Sequence, residues 1–116
     1  MQPQPAGVDA AMTKLPTDDS DVVHDTDQSR YEIYDGSALA GFAEYTHEDG
    51  VVTFTHTEIE PAFEGKGLAS RLIKAALDDV RRSDLRAVPV CPFVAAFVRH
   101  HPEYRDLVQQ RTQGTG

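Results

Sequence analysis

Apolar positions along the chain change their spacing once, near residue 64. Before that point, polar and apolar residues alternate over three stretches, as is typical of half-buried β-strands. Asp35-Gly36 and Glu48-Asp49-Gly50 separate these stretches and have the composition of tight turns. After that point, apolar residues recur at helical spacing, at Leu68, Leu72, Ile73, Ala76, Leu77 and Val80. The pattern predicts four strands and two helices: strands at 30–34, 38–46, 51–59 and 86–90, and helices at about 66–82 and 93–100.

The order of these elements limits the fold. Both turns are too short to hold a helix, so we expect the first three strands to form an antiparallel meander. A helix between the third and fourth strands requires a right-handed crossover, which makes that pair of strands parallel. We therefore predict the α/β (α+β) class, with a mixed, mostly antiparallel sheet, the order β-β-β-α-β-α, and helices that cover the sheet.

The 116-residue chain has the length and composition of one soluble domain, with 40% hydrophobic and 26% charged residues. Its one cysteine excludes an internal disulfide framework. No apolar stretch approaches the ~20 residues that span a bilayer, and the N-terminus has no apolar core resembling a signal peptide. We therefore predict a cytoplasmic protein that does not bind a membrane.

Charge is unevenly distributed around the net value of −8. Residues 1–28 carry one lysine and six aspartates without apolar periodicity, and we predict that they form a disordered acidic tail. The predicted domain covers residues 29–110, and 111–116 form a second disordered tail. Neither the tail nor the domain has a basic face, so nucleic acid is not an expected partner. An acidic exterior mildly favours cationic acceptors such as amines.

A loop with two glycines and a lysine, Glu64-Gly65-Lys66-Gly67-Leu68-Ala69, joins the third strand to the first helix. Glycine lets the backbone approach a ligand, and the helix N-terminus offers unpaired N–H groups to an anion. A Walker A loop has four residues between its first glycine and Gly-Lys, then Ser or Thr, and this loop does not. A dinucleotide fingerprint requires a third glycine where Ser70 stands. The loop therefore predicts a phosphate or pyrophosphate site of another kind.

The succession of meander, glycine loop, long helix, strand and shorter helix resembles the GNAT superfamily of acyl-CoA-dependent N-acyltransferases. The loop pattern of that family is Gln/Arg-x-x-Gly-x-Gly/Ala. Gly67 and Ala69 match it, whereas Glu64 stands in place of Gln or Arg. A short, single-domain branch of the superfamily is similar over about residues 29–108. The shared segments are His56-Thr57-Glu58, Pro89-Val90-Cys91-Pro92-Phe93 and His101-Pro102-Glu103-Tyr104.

This resemblance implies that acetyl-CoA or coenzyme A is held by the loop and the helix N-terminus. It implies that Lys66 and Arg71 add positive charge near the phosphates. We expect Glu64 to point its side chain to solvent and to contribute only its backbone. The residues implied in cofactor binding are Ile59, Phe63, Glu64, Gly65, Lys66, Gly67, Leu68, Ala69, Ser70, Arg71, Cys91, Pro92 and Phe93.

Four residues are candidates for catalysis, since acyl transfer needs a route for the amine proton and a stabilised oxyanion. The resemblance implies that Cys91 acts as a nucleophile or as a general acid toward the leaving thiolate. The alternative is a small buried apolar residue. Glu58 and His56 share one face of a strand and are candidate general bases, or simply a half-exposed strand end. Tyr104 is a candidate proton donor to the thiolate or an aromatic residue of the core. No metal site is expected, because the histidines and Cys91 lack a ligand spacing.

We predict an acetyl-CoA-dependent N-acetyltransferase that acts on a primary amine. Many GNAT enzymes insert helices between the first two strands to form the acceptor site, whereas Asp35-Gly36 joins these strands directly here. We therefore expect an open acceptor side, suited to a protein lysine, a protein N-terminus or a polyamine. The alternative is a non-catalytic acyl-CoA-binding sensor or interaction module. The sequence leaves the acceptor and the oligomeric state open.

Overall fold

The computed structural model describes residues 12–14 and 21–108 of the chain. The strands are β1 (Met12–Lys14), β2 (Val22–Asp25), β3 (Arg30–Asp35), β4 (Ala38–Glu48), β5 (Val51–Ile59) and β6 (Arg86–Pro89). The α-helices are α1 (Leu68–Arg82) and α2 (Pro92–His100), and short 3-10 helices cover Pro61–Phe63 and Pro102–Leu107. No helix in these described segments is long and apolar enough to cross a membrane.

The six strands form one sheet, in which they lie in chain order. Neighbouring strands are antiparallel from β1 to β5. β6 pairs with β5 in parallel, because α1 connects these two strands as a crossover. The predicted α/β class and the mixed, mostly antiparallel sheet are therefore confirmed.

Two strands lie in the segment for which we predicted disorder. Val22–Asp25 pairs with β3, and Met12–Lys14 pairs in turn with β2. The prediction of disorder is wrong for these segments. Their order comes from backbone pairing with a neighbouring strand, which needs no periodic apolar face in so short a stretch. Residues 1–11, 15–20 and 109–116, with the predicted C-terminal tail, lie outside the described residues.

Helix α1 supplies much of the core that covers the sheet. It begins at Leu68 and not at the predicted residue 66. The reason is Gly67, whose φ of 75° is left-handed and cannot belong to a right-handed helix. Arg81 and Arg82 lie in its last turn, where positive charge stabilises the helix dipole. Its buried side chains are Leu68, Leu72, Ile73, Ala75, Ala76, Leu77 and Val80.

A bulge in β5 decides which of its side chains face the core. The register between β4 and β5 shifts between Glu44 and Tyr45, and this shift leaves Thr55 without a partner across the sheet. One extra residue reverses the alternation of the strand that follows it. Phe54 before the bulge and Thr57 after it therefore point to the same side of the sheet.

Strands β4 and β5 approach each other closely at Gly41, which pairs with Ile59 near the end of β5. A Cβ atom at Gly41 would lie 2.5 Å from the backbone oxygen of Glu58 and would also meet the side chain of Ile59. A glycine is therefore required here by the space between the strands.

His24 fastens β2 to the core. Its ring stacks on Tyr31, with 4.2 Å between ring centroids. Its Nε2 lies 2.6 Å from the hydroxyl of Tyr45, and its Nδ1 lies 3.4 Å from a carboxylate oxygen of Asp79 on α1. Because Tyr31 also donates to Asp79 (2.8 Å), one carboxylate joins two strands to the helix.

We expect Gly41→Ala to destabilise the protein by about 1–3 kcal/mol, because the added methyl group forces β4 and β5 apart. Urea unfolding followed by circular dichroism measures this change. Thr46→Ala is the control, since Thr46 is exposed on the same strand, and its effect should stay within about 0.5 kcal/mol. Equal stability of the Gly41 variant and the unmodified protein would contradict the close approach.

We also expect His24 to make the stability depend on pH. Burial lowers the pKa of His24 below its ordinary value of 6.5; Asp79 and Asp25 oppose this effect and His47 adds to it. Between the folded pKa and 6.5 the unfolded chain binds more protons than the folded chain, so this contribution to stability is lost as pH falls through that window.

Urea unfolding from about pH 7.5 to about pH 5.5 tests this expectation. The fall in unfolding free energy should be smaller in His24→Gln, which does not titrate, than in the unmodified protein. A fall of the same size in both proteins would show that His24 is not the group responsible.

Candidate functional site

A cleft of about 350 Å³ opens where β5 and β6 separate. The two strands pair as far as Phe54 and Pro89, and the Cys91 N–H then donates to the Phe54 carbonyl (2.8 Å). Beyond this point β5 continues to Ile59, while the other chain segment turns into α2. The residues that line the cleft are Thr57, Ile59, Phe63, Glu64, Gly65, Gly67, Leu68, Ala69, Ser70 and Phe93.

Nine of the thirteen residues that the sequence assigned to the cofactor are among those lining this one cleft. The remaining four, Lys66, Arg71, Cys91 and Pro92, lie within two residues of a lining residue in the chain without lining the cleft themselves. The structure therefore brings residues of β5, the glycine loop, α1 and α2, which lie apart in the sequence, together around one cleft.

The glycine loop presents the first turn of α1 to the cleft. Gly65 and Gly67 have φ values of 87° and 75°, in the left-handed region that favours glycine. The N–H of Arg71 donates to the Gly67 carbonyl (3.3 Å), which is the first bond of the helix. The three preceding N–H groups of α1 are therefore the ones that lack an acceptor within the helix: those of Leu68, Ala69 and Ser70.

The N–H groups at the start of the loop are already used. Phe63 donates to the carbonyl of Glu60 (2.8 Å), and Glu64 donates to that of Pro61 (3.3 Å). Glu64 is exposed, as expected, yet it lies on the rim of the cleft. The backbone donors that can serve a ligand are therefore centred on α1 and not on Glu64.

Lys66 of the glycine loop and Arg71 of α1 are each paired with an aspartate. Nζ of Lys66 lies 2.9 Å from a carboxylate oxygen of Asp35, which ends β3. The guanidinium of Arg71 lies 3.0 Å from the carboxylate of Asp21, which precedes β2. Both pairs are exposed, so each contributes little to stability and can exchange partners readily.

Cys91 is the N-cap residue of α2, and Pro92 occupies the first helical position. Only 4% of Cys91 is exposed, and its thiol donates to Oγ1 of Thr57 (3.4 Å). Burial raises the pKa of the thiol. Hydrogen bonds to the thiolate from the Thr57 hydroxyl and from the N–H groups of Val94 and Phe93 outweigh burial, so the pKa lies below its ordinary value.

Thr57 is the functional candidate that the sequence analysis missed. It lines the cleft and accepts a hydrogen bond from the thiol of Cys91, so it connects the cleft with the thiol. Two signals in the sequence pointed to it. Thr57 belongs to the His-Thr-Glu segment, and it stands two residues before Ile59 on the same strand.

Glu58 and His56 face away from this cleft. Their side chains share one side of β5, as expected, and lie 3.1 Å apart as a pair that is about half exposed, at 53% and 54%. Thr57 and Ile59 occupy the opposite side of the strand, so neither Glu58 nor His56 meets the cleft side chains. A base role for either residue therefore requires a substrate that reaches the other face of the sheet.

Tyr104 belongs to the core. It is 4% exposed, and its hydroxyl donates to Asp78 of α1 (2.6 Å), away from the cleft. Burial raises the pKa of Tyr104, and the hydrogen bond to this carboxylate raises it further. The phenol is therefore a weaker acid than an exposed tyrosine. Within the described residues, no group of three or more His, Cys, Asp and Glu side chains is placed to hold a metal ion.

A second depression, of about 380 Å³, continues from the cleft along α2. Ser70 and Phe93 line both spaces, so the two join into one groove. The imidazole of His100 donates to the carbonyl of Ala96 (2.9 Å), and His101 stacks on Phe97 with 4.0 Å between ring centroids. The groove is therefore longer than a pyrophosphate group and has an aromatic wall at its far end.

Residues 30–107 match the family model described as GCN5-related N-acetyl-transferase. The chain is also similar to Protein NATD1 of Bos taurus, with 44% identity over 61 residues, covering 51% of this chain and 54% of that protein. Similarity to Protein NATD1 of Homo sapiens is 40% over 61 residues, covering 51% and 54%. The chain spans about half the length of these curated relatives.

The fold is similar to the solution NMR structure of a GCN5-like protein from Staphylococcus aureus. The TM-score is 0.57, and the match covers 70% of this chain and 81% of that chain. At 19% sequence identity this likeness shows the fold and no more. The family model and the structural match thus agree on the architecture that the order of elements predicted.

Proposed function

This chain belongs to the GCN5-related N-acetyltransferase family, and we propose that it transfers an acetyl group from acetyl-CoA to a primary amine. The cleft is the observation that carries this proposal. Nine residues predicted to bind the cofactor line it, and they come from the end of β5, the 3-10 helix and glycine loop that follow it, the first turn of α1, and Phe93 of α2. A buried thiol of lowered pKa lies behind its inner end.

Three parts of the groove suit three parts of coenzyme A. The N–H groups of Leu68, Ala69 and Ser70 suit the pyrophosphate, since unpaired donors at the positive end of a helix dipole stabilise an anion. The gap between the last residues of β5 and the start of α2 suits the pantetheine arm, because β5 continues beyond Phe54 without β6 beside it and leaves backbone groups available to amides. The aromatic depression beyond Phe93 suits the adenosine end.

The loop residues contribute to this binding in unequal ways. Backbone donors carry the phosphate end, because Lys66 and Arg71 are paired with aspartates. Arrival of a pyrophosphate would offer both cations a second anionic partner at a short distance. The exposed carboxylate of Glu64 opposes this gain to a small degree, since solvent screens it.

We propose that the acceptor is an amine on a large or flexible molecule. β3 and β4 are joined by a turn of two residues, Gly36 and Ser37, so no helix between them covers the sheet at this edge. The net charge of −8 attracts a protonated amine. A protein lysine, a protein N-terminus and a polyamine all fit these conditions.

One observation favours the alternative of a non-catalytic acyl-CoA-binding module. Glu58 and His56 lie on the face of β5 opposite the cleft, and Glu64, whose carboxyl group belongs to a lining residue, lies on the rim. At the inner end of the cleft the described residues offer only the Thr57 hydroxyl and the Cys91 thiol. A protein that binds acyl-CoA as a sensor would need no general base at this place. The two functions are separated by whether thiol is released.

We expect the purified protein to release free coenzyme A from acetyl-CoA in the presence of a lysine peptide, an N-terminal peptide or spermidine. A thiol-reactive dye measures this release, and mass spectrometry of the amine detects the added acetyl group. Tight binding of coenzyme A without release above the background rate would instead favour the sensor or interaction module.

We further expect Ser70→Asp to lower the affinity for coenzyme A by about tenfold, or about 1.4 kcal/mol, because it places a carboxylate beside the pyrophosphate donors. An aspartate in the first turn of a helix is favourable to the helix itself, so the fold should be preserved. Isothermal titration calorimetry measures the affinity.

Ser70→Asn is the matched control, since asparagine has nearly the same size as aspartate but carries no charge. Its affinity should stay within about threefold of that of the unmodified protein. Equal affinity of the Asp and Asn variants would show that the pyrophosphate is not held at this helix end.

A further inference from the structure

Thr57 and Cys91 form a hydrogen-bonded pair beside the cleft. Thr57 lines the cleft, whereas Cys91 does not line it and is only 4% exposed. The thiol donates to Oγ1 of Thr57 (3.4 Å), which leaves the hydroxyl proton of Thr57 free to point elsewhere. The Thr57 hydroxyl can therefore accept a hydrogen bond from the thiol while it donates its own proton to a group in the cleft.

We propose that Thr57 is a catalytic residue that donates a proton to the departing thiolate of coenzyme A and takes one from Cys91. This inference rests on the proposed acetyl transfer and assigns the proton donor of that reaction. Cys91 acts through Thr57 and is a positioning and supplying residue, not a nucleophile.

The step balances in atoms and charge. The amine nitrogen forms a bond to the thioester carbonyl carbon, and the carbon–sulfur bond breaks with its electron pair on sulfur. Thr57 gives its hydroxyl proton to that sulfur and receives the proton of the Cys91 thiol. Water removes the surplus proton of the acylated amine, and the Cys91 thiolate regains a proton from water when the products leave.

The surroundings of Cys91 stabilise the thiolate that this step leaves behind. The N–H groups of Phe93 and Val94 point to it from the first turn of α2, and the helix dipole has its positive end there. After the transfer Thr57 carries the proton received from Cys91, and its hydroxyl then donates to the thiolate. The same hydrogen bond therefore serves the thiol before the step and the thiolate after it.

Attack by Cys91 on the thioester fits this arrangement less well. A nucleophile must contact the carbonyl carbon, and the side chain of Thr57 lies between the sulfur and the cleft. A proton crosses the same distance through one hydroxyl group without moving either side chain. Burial of Cys91 therefore favours the role of proton source.

Thr57 faces the cleft because of the bulge at Thr55. Without the unpaired residue, alternation from Phe54 would turn Thr57 to the outer face and bring His56 and Glu58 inward. The imidazole of His56 and the carboxylate of Glu58 would then line the cleft. The backbone irregularity thus selects a hydroxyl group over an imidazole–carboxylate pair at this end of the cleft.

The test compares Thr57→Val, which keeps the shape but loses the hydroxyl, with Thr57→Ser, which keeps the hydroxyl. We expect the valine variant to lose about 100-fold in turnover, and the serine variant to stay within about threefold of the unmodified protein. Coenzyme A affinity measured by calorimetry should change little in either. Thermal unfolding checks that both variants are folded.

Two further measurements separate a proton relay from a structural role. Ultraviolet absorbance of the thiolate, with Cys91→Ser as the blank, should show a higher thiol pKa in Thr57→Val than in Thr57→Ser. The double variant Thr57→Val/Cys91→Ala should be no slower than the slower single variant, because residues that act as one unit are not additive.

Each outcome bears on a different claim. Full turnover in Thr57→Val, or additive losses in the double variant, would overturn the relay while leaving the acetyl transfer intact. A covalent acetyl group on Cys91, detected by rapid quench and mass spectrometry, would overturn it in favour of the nucleophile. Absence of transfer to every amine by the unmodified protein would overturn the proposed function itself, and the relay with it.

Discussion

Among the described residues, the bond from the Cys91 N–H to the Phe54 carbonyl is the last backbone–backbone hydrogen bond between β5 and the segment that follows β6. Up to this bond the two strands pair in parallel, and beyond it they separate. The separation creates the space that Thr57 and Ile59 line from β5 and Phe93 lines from α2, and Pro92 turns the chain into that helix. The same bond holds Cys91 at the inner end of that space. One backbone hydrogen bond therefore fixes both the start of the cleft and the position of the thiol.

A second backbone feature decides which chemistry the cleft receives. The bulge at Thr55 turns Thr57 and Ile59 inward and leaves His56 and Glu58 on the outer face. Gly41 allows β4 to follow β5 closely through this region, because no side chain separates the two strands. The reacting end of the cleft is therefore neutral, with a hydroxyl and a buried thiol, while charge is kept outside.

The end of the groove at α1 offers backbone donors more than charge. Leu68, Ala69 and Ser70, whose N–H groups lack an acceptor within the helix, line the cleft, whereas Lys66 and Arg71 are held by Asp35 and Asp21. One of those aspartates precedes β2, in a segment that the sequence did not mark as ordered. The N-terminal part of the sheet is thus connected both to the cofactor loop and, through His24 and Asp79, to the far end of α1.

The alternating strands, the long helix, the crossover and the glycine loop could be predicted from the sequence alone, because each depends on the residues of one segment or on the order of neighbouring segments. It also marked Cys91 and most of the cleft residues through their motifs. Tertiary structure decided three things. Backbone pairing adds β2 to the sheet. One unpaired residue turns Thr57 inward and Glu58 outward. Lys66 and Arg71 pair with aspartates from distant parts of the chain. These depend on contacts between segments far apart in the chain, and such contacts leave no periodic signal in any one segment.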